Sequence, residues 1–365
     1  MRPCPMDIDL LIEYFGSDKL SALFGLFVGL LFGIFAYKSN FCLRSAAIEF
    51  WRGRIGNNFV IWLLAFAMAI FGTQILVLSE WLDTDNIRSL NSAGSMSGAI
   101  IGGLLFGSGM ILARGCASRL LVLSATGNLR ALVAGVFIAL VALMTLNGVL
   151  APMSNDLASL WTVNEYNRGL ASWLPNISGV IIGLGLLSMA IWQGWRQKIN
   201  WRLASFGILT GLSIALAWFL NGWHAENAFD NVTVKSISLT SAYIKSLNGL
   251  TETSTFGFSF DIGIVPGIFL GSLASALFSR EFKWQHFTNE SNVGRYLLGA
   301  GMMGFGGVLA LGCSVGAGLS NGGILLITAL TSLLCMWISA GATDWLVDRP
   351  KYSELSSLKP QSSYS

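Results

Sequence analysis

Three cysteines carry the residue pattern in this chain most able to do chemistry. Cys42, Cys116 and Cys313 each follow a glycine-rich apolar stretch: GLLFG at 29–33, an identical GLLFG at 103–107, and GMMGFGG at 301–307. In each case a glycine (Gly33, Gly107 or Gly304) stands nine residues before the cysteine. No His, Asp or second Cys neighbours them at metal-ligand spacing, and the two histidines, His224 and His286, fall in segments read as loops. A metal site is therefore not expected, and neither is a Cys-His nucleophile. The thiol is left with a weak S–H donor and a soft, polarisable surface. Those properties suit an anion that itself contains sulfur, held weakly enough to be passed on, as permeation requires.

The elements that position these thiols are read from composition. Of 365 residues, 53% are hydrophobic and 11% charged, with a mean hydropathy of +0.63, whereas a soluble domain carries about 25% charged residues. The chain reads as an all-α polytopic membrane protein. A helix crossing a hydrocarbon core of about 30 Å needs roughly 20 apolar residues. Nine such runs are found near 20–37, 58–78, 95–113, 130–150, 178–193, 203–220, 262–278, 295–312 and 323–343. The first 19 residues hold Asp7, Asp9, Glu13 and Asp18 in place of a basic stretch, so the first run reads as a retained helix and not a cleaved leader. Lys and Arg favour the cytoplasmic side. Segments 38–57, 114–130, 194–202, 279–295 and the tail from 345 hold 16 of the 22 basic residues; Arg88 and Arg168 stand alone in two of the opposite loops. The expected topology has the N-terminus outside and the C-terminus cytoplasmic. No basic-aromatic cluster points to nucleic acid, and Asn231-Val-Thr233 is read as a chance sequon.

Laying Cys116 on Cys313 gives seven identities in fifteen positions, Gly102, Gly107, Gly109, Leu112, Ala113, Gly115 and Cys116 matching Gly299, Gly304, Gly306, Leu309, Ala310, Gly312 and Cys313. In the expected topology these two copies run in opposite directions, and so do 20–37 and 203–220, although the latter leads to no cysteine. Inverted repeats mark secondary transporters, whose substrate site lies between the halves. One transport domain is expected, with halves 20–177 and 178–344, a polar tail 1–19 and a cytoplasmic tail 345–365. Three stretches too short and polar to cross, Phe41–Trp51, Cys116–Gly127 and Cys313–Gly322, are expected to be re-entrant helices that begin near their cysteines. Helix N-termini offer unpaired N–H groups and a partial positive charge to an anion.

These segments also carry a family resemblance. SNFCLRSA (39–46), GSGMILARGCASR (107–119) and GFGGVLALGCSVGAG (304–318) resemble the three cysteine motifs of the YeeE/YedE family of sulfur-transport membrane proteins. The resemblance covers about residues 20–343. It implies uptake of thiosulfate or a related sulfur anion through an hourglass of inverted repeats in the inner membrane. It also implies an S–H···S relay through Cys42, Cys116 and Cys313, no cofactor, no catalysed reaction, and a small cytoplasmic sulfur-carrier protein as partner. Gly115, Gly312, Ser118 and Ser314 are the supporting motif positions. Where the family usually has glycine this chain has Arg114 and Arg119. Two readings stand: guanidiniums that raise the anion potential beside Cys116, or interfacial anchors, with Arg119 the better candidate anchor. Lys38 and Arg44 flank Cys42 and are expected to draw the ion from the cytoplasmic side.

A membrane thiol oxidoreductase or sulfane-sulfur relay is the rival class. A C-x-x-C pair would favour it, and the chain has none. A permease for another sulfur or selenium oxyanion is also open. Cys4 lies in a polar tail, and Cys335 reads as a small hydrophobe inside the last run. Glu49, Asp261 and Asp344 are expected to be solvated caps. Trp51, Trp62, Trp81, Trp173, Trp195, Trp201 and Trp284 fall mostly near the expected boundaries, as an interfacial belt would.

Overall fold

The computed structural model describes residues 16–84, 87, 89–90, 94–163, 169–170, 177–227, 234–251, 258–285 and 293–348. Expectations placed on Cys4, the acidic residues before Gly16, Arg88, Arg168, Trp173, Asn231–Thr233, His286 and the tail beyond Asp348 lie outside these residues. In chain order the helices are α1 (Ser17–Lys38), α2 (Leu43–Trp51), α3 (Asn57–Leu78), α4 (Met96–Leu112), α5 (Ala117–Ala125), α6 (Leu129–Asn147), α7 (Ala151–Ser159), α8 (Ser178–Arg196), α9 (Trp201–Asn227), α10 (Leu239–Thr251), α11 (Phe260–Phe278), α12 (Val293–Leu309), α13 (Ser314–Asn321) and α14 (Ile327–Thr343). The strands β1 (Gly94–Ser95) and β2 (Thr162–Val163) form one small antiparallel pair.

Among the described residues, nine helical segments are long and apolar enough to cross a membrane. They are built on α1, α3, α4, α6, α8, α9, α11, α12 and α14, and the short helices α2, α5 and α13 continue three of them. Large apolar side chains such as Leu132, Val136 and Leu140 on α6 and Ile181 and Leu184 on α8 face outward, as a bilayer-facing surface requires. The protein is a multi-pass membrane protein.

Glycine sets the helix spacing. In lipid no hydrophobic force drives helices together, so close contact depends on small residues. Gly25, Gly29 and Gly33 of α1 seat on the backbone of Phe260, Ile264 and Ile268 in α11, while Gly263, Gly267 and Gly271 of α11 seat on Ala22, Leu26 and Leu30. The register glycines noted in the sequence do the same work three times: Gly33 faces Ile268 of α11, Gly107 faces Met336 of α14, and Gly304 faces Ile138 of α6. Between α4 and α12 the contacts are reciprocal. Gly102 meets Gly306, and Gly299 meets Gly109; exchanging each residue for its repeat partner turns the first contact into the second. The other pairs follow the same exchange, α1 with α11 becoming α9 with α3, and α4 with α14 becoming α12 with α6.

Several details differ from expectation. The run 203–220 becomes a helix extending to Asn227, because the polar residues that seem to end it are buried and partnered: Asn221 donates to the Lys235 carbonyl at 2.6 Å, and His224 Nε2 lies 3.4 Å from Ser17 Oγ. His224 is thus in a helix and not a loop. Between the expected runs 203–220 and 262–278 stands a further helix, α10. Asp261 and Asp344 are not solvated caps. Asp261 is fully buried against Lys235, Lys245 (3.1 Å) and Ser241 (3.2 Å), and Asp344 takes a two-pronged bond from Arg52 at 2.8 and 2.9 Å. Burial lowers the pKa of Lys235, and the Asp261 carboxylate opposes that shift. Glu49 accepts from Asn58 and from the Phe59 backbone at the start of α3. Trp62 is buried and stacked on Phe66 at 5.1 Å, whereas Trp195, Trp201 and Trp284 are exposed as a belt would be.

Candidate functional site

Each motif cysteine sits at a corner of one design. The preceding helix closes with a residue in the left-handed region two positions before the thiol: Asn40 (φ 54°), Arg114 (φ 54°) and Leu311 (φ 56°). The next N–H reaches back across the turn, from Phe41 to Ala36, Gly115 to Met110, and Gly312 to Gly307, the paired bonding of a Schellman close. Left-handed backbone costs a non-glycine residue about 1–2 kcal/mol; the same close ends other helices at Glu80, Lys198 and Arg280, so what sets the three motif corners apart is the cysteine that follows them. Gly312 is needed at its corner, since at φ 153° an added Cβ would lie 2.7 Å from the Ala317 nitrogen. Gly115 is under less pressure, its added Cβ meeting only Leu120 at 3.1 Å.

The cysteine then becomes the N-cap of a short helix. Cys42 heads α2, Cys116 heads α5, and Cys313 heads α13, whose turns are of the wide π type often found at functional sites. The first helical bond in each case ends on the cysteine carbonyl, from Ala46, Leu120 and Ala317. All three thiols are free and buried.

The sulfurs of Cys42 and Cys116 are 3.9 Å apart, an S–H···S contact and no disulfide. Ser118 Oγ lies 3.3 Å from the Cys116 sulfur, and the Ser45 N–H faces Cys42. The guanidiniums of Arg119 and Arg44 are within electrostatic reach of the Cys42 sulfur. Arg119 Nη2 donates to Asn40 at 3.0 Å, while its Nη1 and Arg44 Nε are buried without a hydrogen-bond partner among the described residues. Arg44 also lies 3.8 Å from Asp348. Arg114, in contrast, is exposed. The two arginines thus differ: Arg119, the better candidate anchor in the sequence, is half-buried, bonded to Asn40 and within electrostatic reach of Cys42, and Arg114 is exposed. Lys38 is bonded to Ser279.

Cys313 occupies a second cluster. Its sulfur accepts from the Gly316 N–H at 3.5 Å and faces the N–H groups of Val315, Leu239 and Thr240. The neighbouring Ser314 is 1% exposed, and its hydroxyl has no partner among the described residues. Tyr243 of α10 links the clusters: it is buried, its hydroxyl donates to the Ala117 carbonyl at 3.2 Å, and it lies within electrostatic reach of both Cys116 and Cys313. Leu239, Thr240 and Tyr243 are absent from the cysteine motifs. Among the described residues no three His, Cys, Asp or Glu side chains converge as a metal site. Cys335 packs against Gly103 at the α4–α14 contact.

Comparison with known proteins gives the class of this polytopic helical membrane protein: it matches membrane transporters and not enzymes. The profile of the Sulphur transport family matches residues 38–342, and the chain belongs to that family. Two relatives are each named Thiosulfate transporter TsuA. The protein from Spirochaeta thermophila is 26% identical over 348 residues, covering 89% of this chain and 98% of the relative. That from Escherichia coli is 25% identical over 352 residues, covering 89% and 94%.

Proposed function

We propose that this chain is an inner-membrane permease for thiosulfate that passes the ion along Cys313, Cys116 and Cys42. The observation that carries this reading is the pair of thiol clusters, each set against helix N-terminal N–H groups. A dianion in the membrane interior needs donors to replace its water, and helix N-termini supply about half a positive charge each. Neutral thiols add weak donors that match the terminal sulfur of thiosulfate. Several weak sites in series favour transfer over trapping. The names of the two relatives support the substrate.

In this account the halves 20–177 and 178–344 are inverted repeats, a reading that the exchange of helix contacts supports. The N-terminus lies outside and the C-terminus in the cytoplasm. The ion meets Cys313 first, passes Tyr243 and reaches the Cys42–Cys116 pair, from which Arg119 and Arg44 draw it inward. Arg114, exposed, serves the interface. A small cytoplasmic sulfur-carrier protein receives the product of uptake.

The test is accumulation of 35S-labelled thiosulfate by cells that lack other uptake routes. Saturable uptake dependent on this chain is expected. No uptake with the protein correctly inserted would reject thiosulfate, and the same cells would then be assayed with sulfite and selenite. The 3.9 Å approach of Cys42 and Cys116 favours one second reading, a thiol oxidoreductase. In that case redox cycling would change the number of thiols open to a membrane-permeant reagent; for a permease the number stays constant.

A further inference from the structure

The repeat that carries three cysteines has four positions, and the fourth is occupied. Residues Cys42–Ile48 read CLRSAAI and residues Ser238–Ile244 read SLTSAYI, with Leu, Ser, Ala and Ile identical at four of seven positions. The match is structural as well. The Ser238 carbonyl accepts the Ala242 N–H at 3.0 Å and so opens α10, as the Cys42 carbonyl accepts the Ala46 N–H at 3.2 Å to open α2. Resting on the thiosulfate reading above, we propose that Ser238 is the hydroxyl counterpart of Cys42. Facing Cys313 as Cys42 faces Cys116, it makes the outer cluster a mixed site that binds the oxygen end of thiosulfate while Cys313 meets the terminal sulfur.

The geometry around Gly316 supports the pairing. A Cβ added at Gly316 would come within 2.8 Å of Ser238 Oγ and 3.1 Å of its Cβ, so glycine there is what lets the Ser238 side chain lie on the first turn of α13. That same Gly316 N–H points at the Cys313 sulfur, and the two residues after Ser238 turn their N–H groups toward it as well. Ser314, almost fully buried with no partner for its hydroxyl among the described residues, is a second oxygen-type donor beside the same thiol. A buried hydroxyl left alone is destabilising, and a ligand oxygen relieves that cost.

The two clusters then differ in kind. At the inner pair both capping positions are thiols; at the outer pair one is a thiol and one a hydroxyl. Thiosulfate has the same asymmetry, one sulfur end and three oxygens. A hydroxyl is the stronger donor to oxygen and a thiol the softer partner for sulfur, so the outer site orients the ion on entry and discriminates against anions that lack either end.

The test has two arms. Uptake of 35S-thiosulfate by the Ser238→Ala variant is expected to show a KM raised about tenfold, the effect of one hydrogen bond to a charged group, with the maximal rate within about twofold; Ser238→Thr, which keeps the hydroxyl, is expected to recover most of the affinity. An unchanged KM in Ser238→Ala would overturn the role. The second arm needs no transport: in Ser238→Cys, copper-phenanthroline is expected to join the new thiol to Cys313, detected as one linked peptide pair, and failure to link would overturn the pairing. If the unaltered protein takes up no thiosulfate, the substrate reading fails and takes the role of Ser238 with it, while the link still reports whether the two positions face each other.

Discussion

Adding one methyl group at the crossing of α4 and α12 should separate the two helices that lead to Cys116 and Cys313. An ideal Cβ at Gly109 would lie 2.6 Å from the Gly299 carbonyl oxygen, 2.9 Å from Met303 Cγ and 3.0 Å from the Met303 nitrogen. Ordinary contact is about 3.5 Å, so the backbones must part by somewhat under 1 Å, and the nearest atom is a carbonyl that no rotamer change can move. Overpacking of this kind costs about 1–3 kcal/mol. Gly185 on α8 supplies the control: nothing lies within 4 Å of its added Cβ, so Gly185→Ala should be neutral or stabilise by up to about 1 kcal/mol through helix propensity. Gly109→Ala should therefore lower the thermal midpoint of the detergent-purified protein and reduce thiosulfate uptake, while Gly185→Ala does neither. Because Gly109 and Gly299 demand the same separation, the double variant should lose less than the sum of the singles, as expected for contacting sites. Equal behaviour of Gly109→Ala and Gly185→Ala, or strict additivity with Gly299→Ala, would refute the reasoning.

Arg119→Gln should cut uptake several-fold, since its guanidinium is within electrostatic reach of Cys42, whereas Arg114→Gln, at an exposed position, should leave uptake within about twofold; the reverse order would reassign the arginines. Asp261→Asn should destabilise the protein, because it leaves Lys235 and Lys245 facing a neutral group. The loss should fall below the roughly 3–5 kcal/mol of a fully buried pair, both lysines being partly exposed at 29% and 43%. A thermal midpoint equal to that of the unaltered protein would show that the cluster contributes no stability.

The spans were legible because a bilayer imposes length and apolarity on any crossing helix, and the thiols because their register glycines recur at a fixed distance. The reason for that register emerges only in three dimensions, where Gly33, Gly107 and Gly304 each seat on a different neighbouring helix. The helix α10 escaped because LTSAYIKSLNGLT is too polar and short to read as a span and its capping residue is serine; the likeness of SLTSAYI to CLRSAAI was the available signal. Asp261 and Asp344 were misplaced because a carboxylate near a segment end reads as solvated until its partner is known. Arg52 is 292 residues from Asp344, beyond any local pattern. Arg114 and Arg119 could not be ranked from spacing alone, since the exposure of Arg114 and the contact of Arg119 with Asn40 are properties of the folded chain.

The central claim is that the sulfur anion travels along the three motif thiols. The direct measurement is 35S-thiosulfate uptake by Cys42→Ala, Cys116→Ala and Cys313→Ala, each matched for protein in the membrane, beside Cys335→Ala, which alters a thiol at a packing contact between α4 and α14. The account predicts that the first three lose at least about tenfold of the rate, on the order of 1.4 kcal/mol in the transport barrier, while Cys335→Ala keeps it. Normal uptake by all three motif variants would contradict it.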